Sequence, residues 1–191
     1  MQDIFKQVYQ HFLLSETDIE TIKLCHEKVS FKKGEFLLKE DEMADEYYLL
    51  EKGLVRAFVL DFDNNETTTE FFCENEIVIV PSSLFQRMPS KENLQTLTDC
   101  TLWKIDFEKF QELFHSIEGM REWGRAWFTF QLFTMKQRSL EMITETAKNR
   151  YLKLMKDKPE ILLNAPLKQI ATFLGITDTS LSRIRKEIVE K

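Results

Sequence analysis

The residues best suited to chemistry lie near the C-terminal end, in PLKQIATFLGITDTSLSRIRKEI, residues 166–188. Thr179, Ser182, Arg183 and Lys186 recur there at spacings that place them on one side of a helix. Arginine can grip guanine O6 and N7 with two hydrogen bonds, serine and threonine can meet several bases, and lysine suits phosphate. Leu181, Ile184 and Ile188 form the opposite, inward face and so fix which side looks out. A first helix precedes it, with Pro166 suited to the first helical position and Leu167, Ile170, Ala171 and Leu174 at i, i+3, i+4 and i+7. Gly175 supplies a left-handed stop, and Thr177 or Asp178 can cap the second helix. Two short helices joined by a tight glycine turn are the helix-turn-helix outline, a device for reading duplex DNA.

Other chemistries lack their residues. Cys25, Cys73 and Cys100 are scattered, with no C-x-x-C pair and no zinc or iron–sulfur spacing, and read as free thiols of a reducing compartment. His11, His26 and His115 are equally dispersed, and none lies between Lys28 and Ile105, so neither a metal centre nor a Ser-His-Asp arrangement can be built. Only 5 glycines occur, none in a phosphate-binding loop. The chain is therefore not expected to be an enzyme, nor to carry a metal or a cofactor. Net charge is −6, but it is unevenly spread: residues 1–135 balance to −11 and residues 136–191 to +5. An acidic body with a basic tail is what a protein needs when only the tail meets phosphates.

The elements that must position this tail are legible in the periodicity. Ser15 and Asp18 form a capping box for an early helix. From Lys28 the period changes to two, and KVSF, EFLLKE, YYLLE, LVRAFVL, TTTEFF, EIVIV, NLQTLT and TLWKI predict short strands between turn signals as far as Ile105. Evenly spaced short strands predict an antiparallel roll or small barrel, making the fold class α+β. Asp106 is placed to cap FEKFQELF. Residues 119–142 predict a helix of about 36 Å with apolar side chains on more than one face. One face is expected on the roll, and the other, carrying Trp123, Trp127, Phe130 and Phe133, against the same helix of a second subunit. TETAKNRYLKLMKDKP predicts a further helix ending at Pro159, followed by a short connection. No run approaches the ~20 apolar residues of a membrane span, and the N-terminal stretch lacks a signal-peptide cleavage site. A cytoplasmic protein without membrane contact is expected.

This order of elements resembles the catabolite-activator (Crp/Fnr) family of regulators over nearly the whole chain, most specifically in RYLKLMKDKP and PLKQIATFLGITDTSLSRIRKE. The resemblance implies a cyclic-nucleotide-binding-like double-stranded β-helix over residues 1–118, a dimerisation helix over 119–142 and a helix-turn-helix domain over 143–191. It implies a homodimeric transcription regulator on double-stranded DNA, with RNA polymerase as a further candidate partner. By the same resemblance Lys168 and Gln169 would touch phosphates, Thr177 would hold one, and Thr179, Ser180 and Arg183 would face bases. The family's β-hairpin wing after the recognition helix has no counterpart before Lys191.

The family's nucleotide cassette pairs Gly-Glu on the ribose with Arg-Ser or Arg-Thr on the cyclic phosphate. In EIVIVPSSLFQRMPSKENLQTL those places read Ile79-Val80 and Ser90-Lys91, and the nearby cations Arg87 and Lys91 are out of register. The cassette looks degenerate, so cyclic AMP is not favoured and the effector is unassigned. The alternative is a cyclic-nucleotide or small-ligand sensor acting through protein contacts.

Overall fold

The computed structural model describes residues 3–189, with side chains as far as Ile188. Two short helices, α1 (Ile4–Val8) and α2 (Glu16–Leu24), precede the strands. The Ser15–Asp18 capping box is formed as expected. Eight strands follow among the described residues: β1 (Glu27–Phe31), β2 (Phe36–Leu38), β3 (Glu46–Lys52), β4 (Val55–Leu60), β5 (Glu66–Phe72), β6 (Ile77–Val78), β7 (Asn93–Thr96) and β8 (Cys100–Asp106). They pair antiparallel into two sheets, β1-β8-β3-β6 and β2-β7-β4-β5, which face each other as a roll. Leu49, Leu50, Val55, Val78, Leu84 and Leu102 are fully buried in the core of this part of the chain. Gly53, at φ +111°, turns β3 into β4 beside Cys100. A Cβ there would lie 2.6 Å from the Cys100 Sγ, so only glycine fits.

Within the roll a six-residue helix, α3 (Pro81–Gln86), separates β6 from β7. Helix α4 (Phe107–Ser116) leaves the roll where expected, but Asp106 does not cap it through its side chain and pairs instead with Lys109 at 3.2 Å. The long helix α5 runs Glu118–Thr144 and is followed by α6 (Ala147–Asp157), α7 (Pro159–Asn164), α8 (Leu167–Phe173) and α9 (Asp178–Val189). The connection after Pro159 is thus itself a helical turn. Pro166 stands at the N-cap of α8 rather than inside it, and Leu167 is exposed.

His26 is buried at the N-terminal end of the roll. Its Nδ1 meets the Ile22 carbonyl at 2.7 Å and its Nε2 meets the Tyr9 hydroxyl at 3.1 Å, which in turn bonds Tyr47 at 2.8 Å. Burial lowers its pKa from 6.5 to about 4, against the opposing pull of the Ile22 carbonyl. The folded protein therefore refuses a proton that the unfolded chain accepts, and stability falls as pH drops from 6.5 towards 4. By pH 4.5 the loss from this group should reach about 2–3 kcal/mol. Urea titrations at pH 7 and pH 4.5 should show that difference between the parent and His26→Gln, and an equal acid loss in both proteins would refute the assignment.

Candidate nucleic-acid interface and sensor pocket

Helices α8 and α9 build the interface. Ile170, Ala171, Leu174 and Leu181 are buried in a second apolar cluster with Tyr151, Leu154 and Ile161, and Ile184 and Ile188 pack against it. That burial of one stripe leaves the opposite stripe of α9 in solvent. Gly175 takes φ +67° to end the first helix, its Cα side lying against Met142 of α5. Thr177 then caps α9: its Oγ1 accepts the Ser180 N–H at 3.2 Å and lies 2.9 Å from the Ser180 hydroxyl.

Thr179, Ser182, Arg183 and Lys186 come together on the exposed face, and their side chains make no hydrogen bond or ion pair among the described residues. Lys168 is likewise exposed and unpaired. Arg185, which the spacing argument passed over, is also exposed and unpaired; its place seven residues after Asp178 was the available signal. Ser180 is half-buried and tied to Thr177, away from that face. Gln169 is turned inward, with Oε1 buried and unpartnered, so it does not stand ready for a phosphate in this conformation. The expectation of a missing wing falls on residues 190–191 and beyond, outside the described residues.

The second cluster also takes Phe71 of β5 and Leu54, Cys73 and Leu97, which flank β4, β5 and β7 of the β2-β7-β4-β5 sheet, so the helix-turn-helix unit is docked on the outside of the roll. Phe71 and Phe173 meet edge to face at 5.1 Å, and the Thr68 N–H donates to Thr172 Oγ1 at 3.2 Å. Arg138 of α5 ties the three parts together. It donates to the Thr69 carbonyl, to Glu70 at 3.5 Å and to the Phe173 carbonyl at 3.2 Å, and its guanidinium lies 3.9 Å from the Phe173 ring centre. Lys158 adds a second tie, to the Phe71 carbonyl at 3.1 Å and to Glu76 at 2.7 Å. Burial pushes the Glu70 carboxyl above its usual range, against the pull of Arg138 and Lys158.

The long helix divides along its length. Trp123, expected at a subunit contact, is buried within its own chain: its ring packs tilted against Tyr9 at 4.6 Å and its indole N–H donates to the Val8 carbonyl at 2.9 Å. Trp127 is half-buried and packs on Trp123 and Phe128. Beyond them Phe130 and Phe133 are 65% and 67% exposed, accompanied by Leu132, Met135 and Ile143.

In the cassette region, Ser83, Ser90 and Arg87 are engaged locally. Ser83 Oγ accepts the Ala44 N–H at 2.8 Å, and the buried Ser90 hydroxyl is closed on Glu92. Arg87 pairs with Asp45 at 2.5 Å and donates to the Ala44 carbonyl at 3.0 Å, whereas Lys91 points into solvent. A cavity of about 210 Å³ next to Val80 and Leu94 is lined by Leu37, Leu38 and Met43 together with Glu42, Asp45 and Glu46. It presents three carboxylates and no cation. Phe71 faces the docked helices, and Phe85 packs in an aromatic group with Phe107, Phe110 and Phe128, so neither lines this cavity. Burial pushes the thiols of Cys25, Cys73 and Cys100 up, and no group of three or more potential metal ligands occurs among the described residues.

A roll of two four-stranded sheets, a long helix and a terminal helix-turn-helix define the architecture of Crp/Fnr regulators. Residues 28–116 match the family model of the cyclic nucleotide-binding domain. The chain is similar to FixK2 of Bradyrhizobium japonicum, at TM-score 0.75 and 17% identity over 86% of this chain and 85% of that one. It is similar also to the c-di-GMP responsive global regulator CLP of Xanthomonas campestris, at TM-score 0.71 and 16% identity over 92% of each chain. The catabolite activator protein of Thermus thermophilus aligns at TM-score 0.61 and 15% identity over 98% of this chain and 87% of that one. The chain thus has the Crp/Fnr regulator fold, and no helix among the described residues is long and apolar enough to cross a membrane.

Proposed function

We propose that this protein is a homodimeric, cytoplasmic transcription regulator that binds double-stranded DNA through α9. Residues 1–118 act as the sensor body, 119–142 as the dimer helix and 143–191 as the reading head. The observation that carries the proposal is the face of α9: Thr179, Ser182, Arg183 and Lys186 are exposed without partners on a helix whose other face is locked into the core. Elsewhere in the molecule cations are commonly spent on carboxylates, as Lys104 is on Glu27 and Glu46. The roll serves as a sensor whose effector is not a cyclic nucleotide, because the cations near the cassette are tied down or out of reach.

Binding to duplexes selected from a random-sequence pool, followed by fluorescence anisotropy, tests the proposal. Arg183→Ala should cost about 1–3 kcal/mol and relax the preference at one base pair. Lys168→Ala should weaken all sequences alike and reduce the salt slope by about one. Uniform weakening by Arg183→Ala would move that residue to the phosphate contacts, and no binding at low salt would defeat the proposal.

A further inference from the structure

Strand β5 carries one residue that β4 does not pair. The register runs from Ala57 opposite Glu70 to Phe58 opposite Thr68, so Thr69 is bulged out between them. Its hydroxyl and its carbonyl then serve two different parts of the molecule. The hydroxyl donates to the Glu92 carboxylate, and the carbonyl accepts from Arg138 of α5. Glu92 is closed on the Ser90 hydroxyl through its own N–H and carbonyl, at 3.0 and 2.7 Å. The Ser90 N–H in turn donates at 2.7 Å to the carbonyl of Glu42, which lines the cavity beside Val80. At the other end Arg138 donates to the carbonyl of Phe173, the last residue of α8, and its guanidinium lies on the Phe173 ring. That carbonyl sits where a helix has no donor of its own left to offer. A continuous run of hydrogen bonds therefore leads from the cavity wall to the reading head.

We propose that Arg138 is a positioning residue for the reading head, and that the Thr69 bulge is the joint through which the cavity of the roll acts on it. The proposal rests on the sensor and DNA-binding roles proposed above. Ladder pairing holds the rest of β5 to β4 from Glu66 to Phe72. The Thr69 peptide alone can turn without breaking that ladder, which makes it the element with two arrangements that coupling between distant sites requires. A ligand entering the cavity meets Glu42 and Leu94, and Leu94 lies two residues beyond Glu92. A shift of Glu92 draws the Thr69 hydroxyl with it and turns the carbonyl away from Arg138. The guanidinium then loses the roll as its anchor, and α8 is no longer held in one orientation. Arginine suits this place because a rigid planar fork holds two carbonyls in fixed directions, whereas a lysine ammonium fixes neither.

The test is hydrogen–deuterium exchange of the full-length parent, Thr69→Val and Arg138→Lys without DNA, with circular dichroism to confirm folding. Thr69→Val removes one hydroxyl within the roll and suits a strand. It should quicken exchange in α8 by about threefold to tenfold, as the loss of one hydrogen bond predicts, while β1 and β8 keep their rates. Arg138→Lys should quicken the same amides. The double variant should barely exceed the larger single effect, because both changes cut one chain of bonds. Additive effects, or faster exchange in β4 and β5 with α8 unchanged, would overturn the proposal and leave Thr69 a residue of local importance. If Arg138→Lys does not fold, Glu92→Ala takes its place beside Thr69→Val with the same expectations. A parent that binds no duplex, with α8 exchange still tied to Thr69, would overturn the DNA-binding function and leave the coupling standing.

Discussion

Aspartate at Phe130 or Phe133 is expected to give folded monomers that bind DNA about a hundredfold more weakly than the parent. Both side chains are more than 60% exposed in the single chain, so a charge there is not buried within the subunit and does not threaten its fold. The same charge in a closed helix pair would lie between apolar faces without a partner, at a cost of several kcal/mol. Phe130 and Phe133 on one side of the helix, with Leu132, Met135 and Ile143 on the other, are more exposed apolar surface than a lone soluble helix ordinarily shows to water. The loss of DNA affinity follows from geometry. Two recognition helices must sit about 34 Å apart to enter successive major grooves, and two linked contacts gain about 10²–10⁴ over one. Light scattering coupled to size exclusion reads the subunit number, and circular dichroism checks the fold. Dimers from both variants would place the subunit contact elsewhere. Aspartate at Trp127, half-buried against Trp123, should instead destabilise the chain itself.

The contrast between Trp123 and Phe133 shows what periodicity can and cannot reveal. The spacing of apolar residues marks both as members of an apolar face. It does not say what covers that face, and Trp123 is covered by Tyr9 and the Val8 carbonyl of an element more than a hundred residues away. The strands were legible because each is a short two-period run closed by turn residues, and α9 because its cap, its stripe and its glycine stop all agree. Helices α3 and α7, at six residues each, are too short to complete a repeat that periodicity can register.

The docking of the helix-turn-helix unit on the roll had no local signal at all. It depends on Arg138 reaching Thr69 and Phe173, and on Phe71 meeting Phe173, contacts between segments far apart in the chain. The docked contact is also imperfect. Thr68 Oγ1 and Gln169 Oε1 are buried there without partners, as are Nε and Nη1 of Arg56 on the neighbouring strand β4. Unpaired buried polar groups cost about 1–3 kcal/mol each, which offsets much of what the aromatic and apolar contacts contribute.

Cyclic AMP and cyclic GMP are expected to bind no tighter than about millimolar, and the structure gives the reason atom by atom. A cyclic phosphate keeps its negative charge and must exchange water for fixed donors, at a cost of several kcal/mol if none is supplied. A guanidinium in register would supply two charge-assisted hydrogen bonds. Here Ser90 stands at that place with its hydroxyl closed on Glu92, and the adjacent Lys91 is turned to solvent. Arg87 would first have to abandon Asp45 and the Ala44 carbonyl, and its ring contact with Phe107. The neighbouring cavity is lined by Glu42, Asp45 and Glu46 and by no cation, and Val80 offers the ribose no carboxylate to hold its hydroxyl. Calorimetry with both nucleotides decides the matter. A micromolar dissociation constant would mean that Arg87 or Lys91 swings onto the phosphate, and Arg87→Ala and Lys91→Ala would then show which; heats no larger than dilution would leave the roll open only to a ligand of different chemistry.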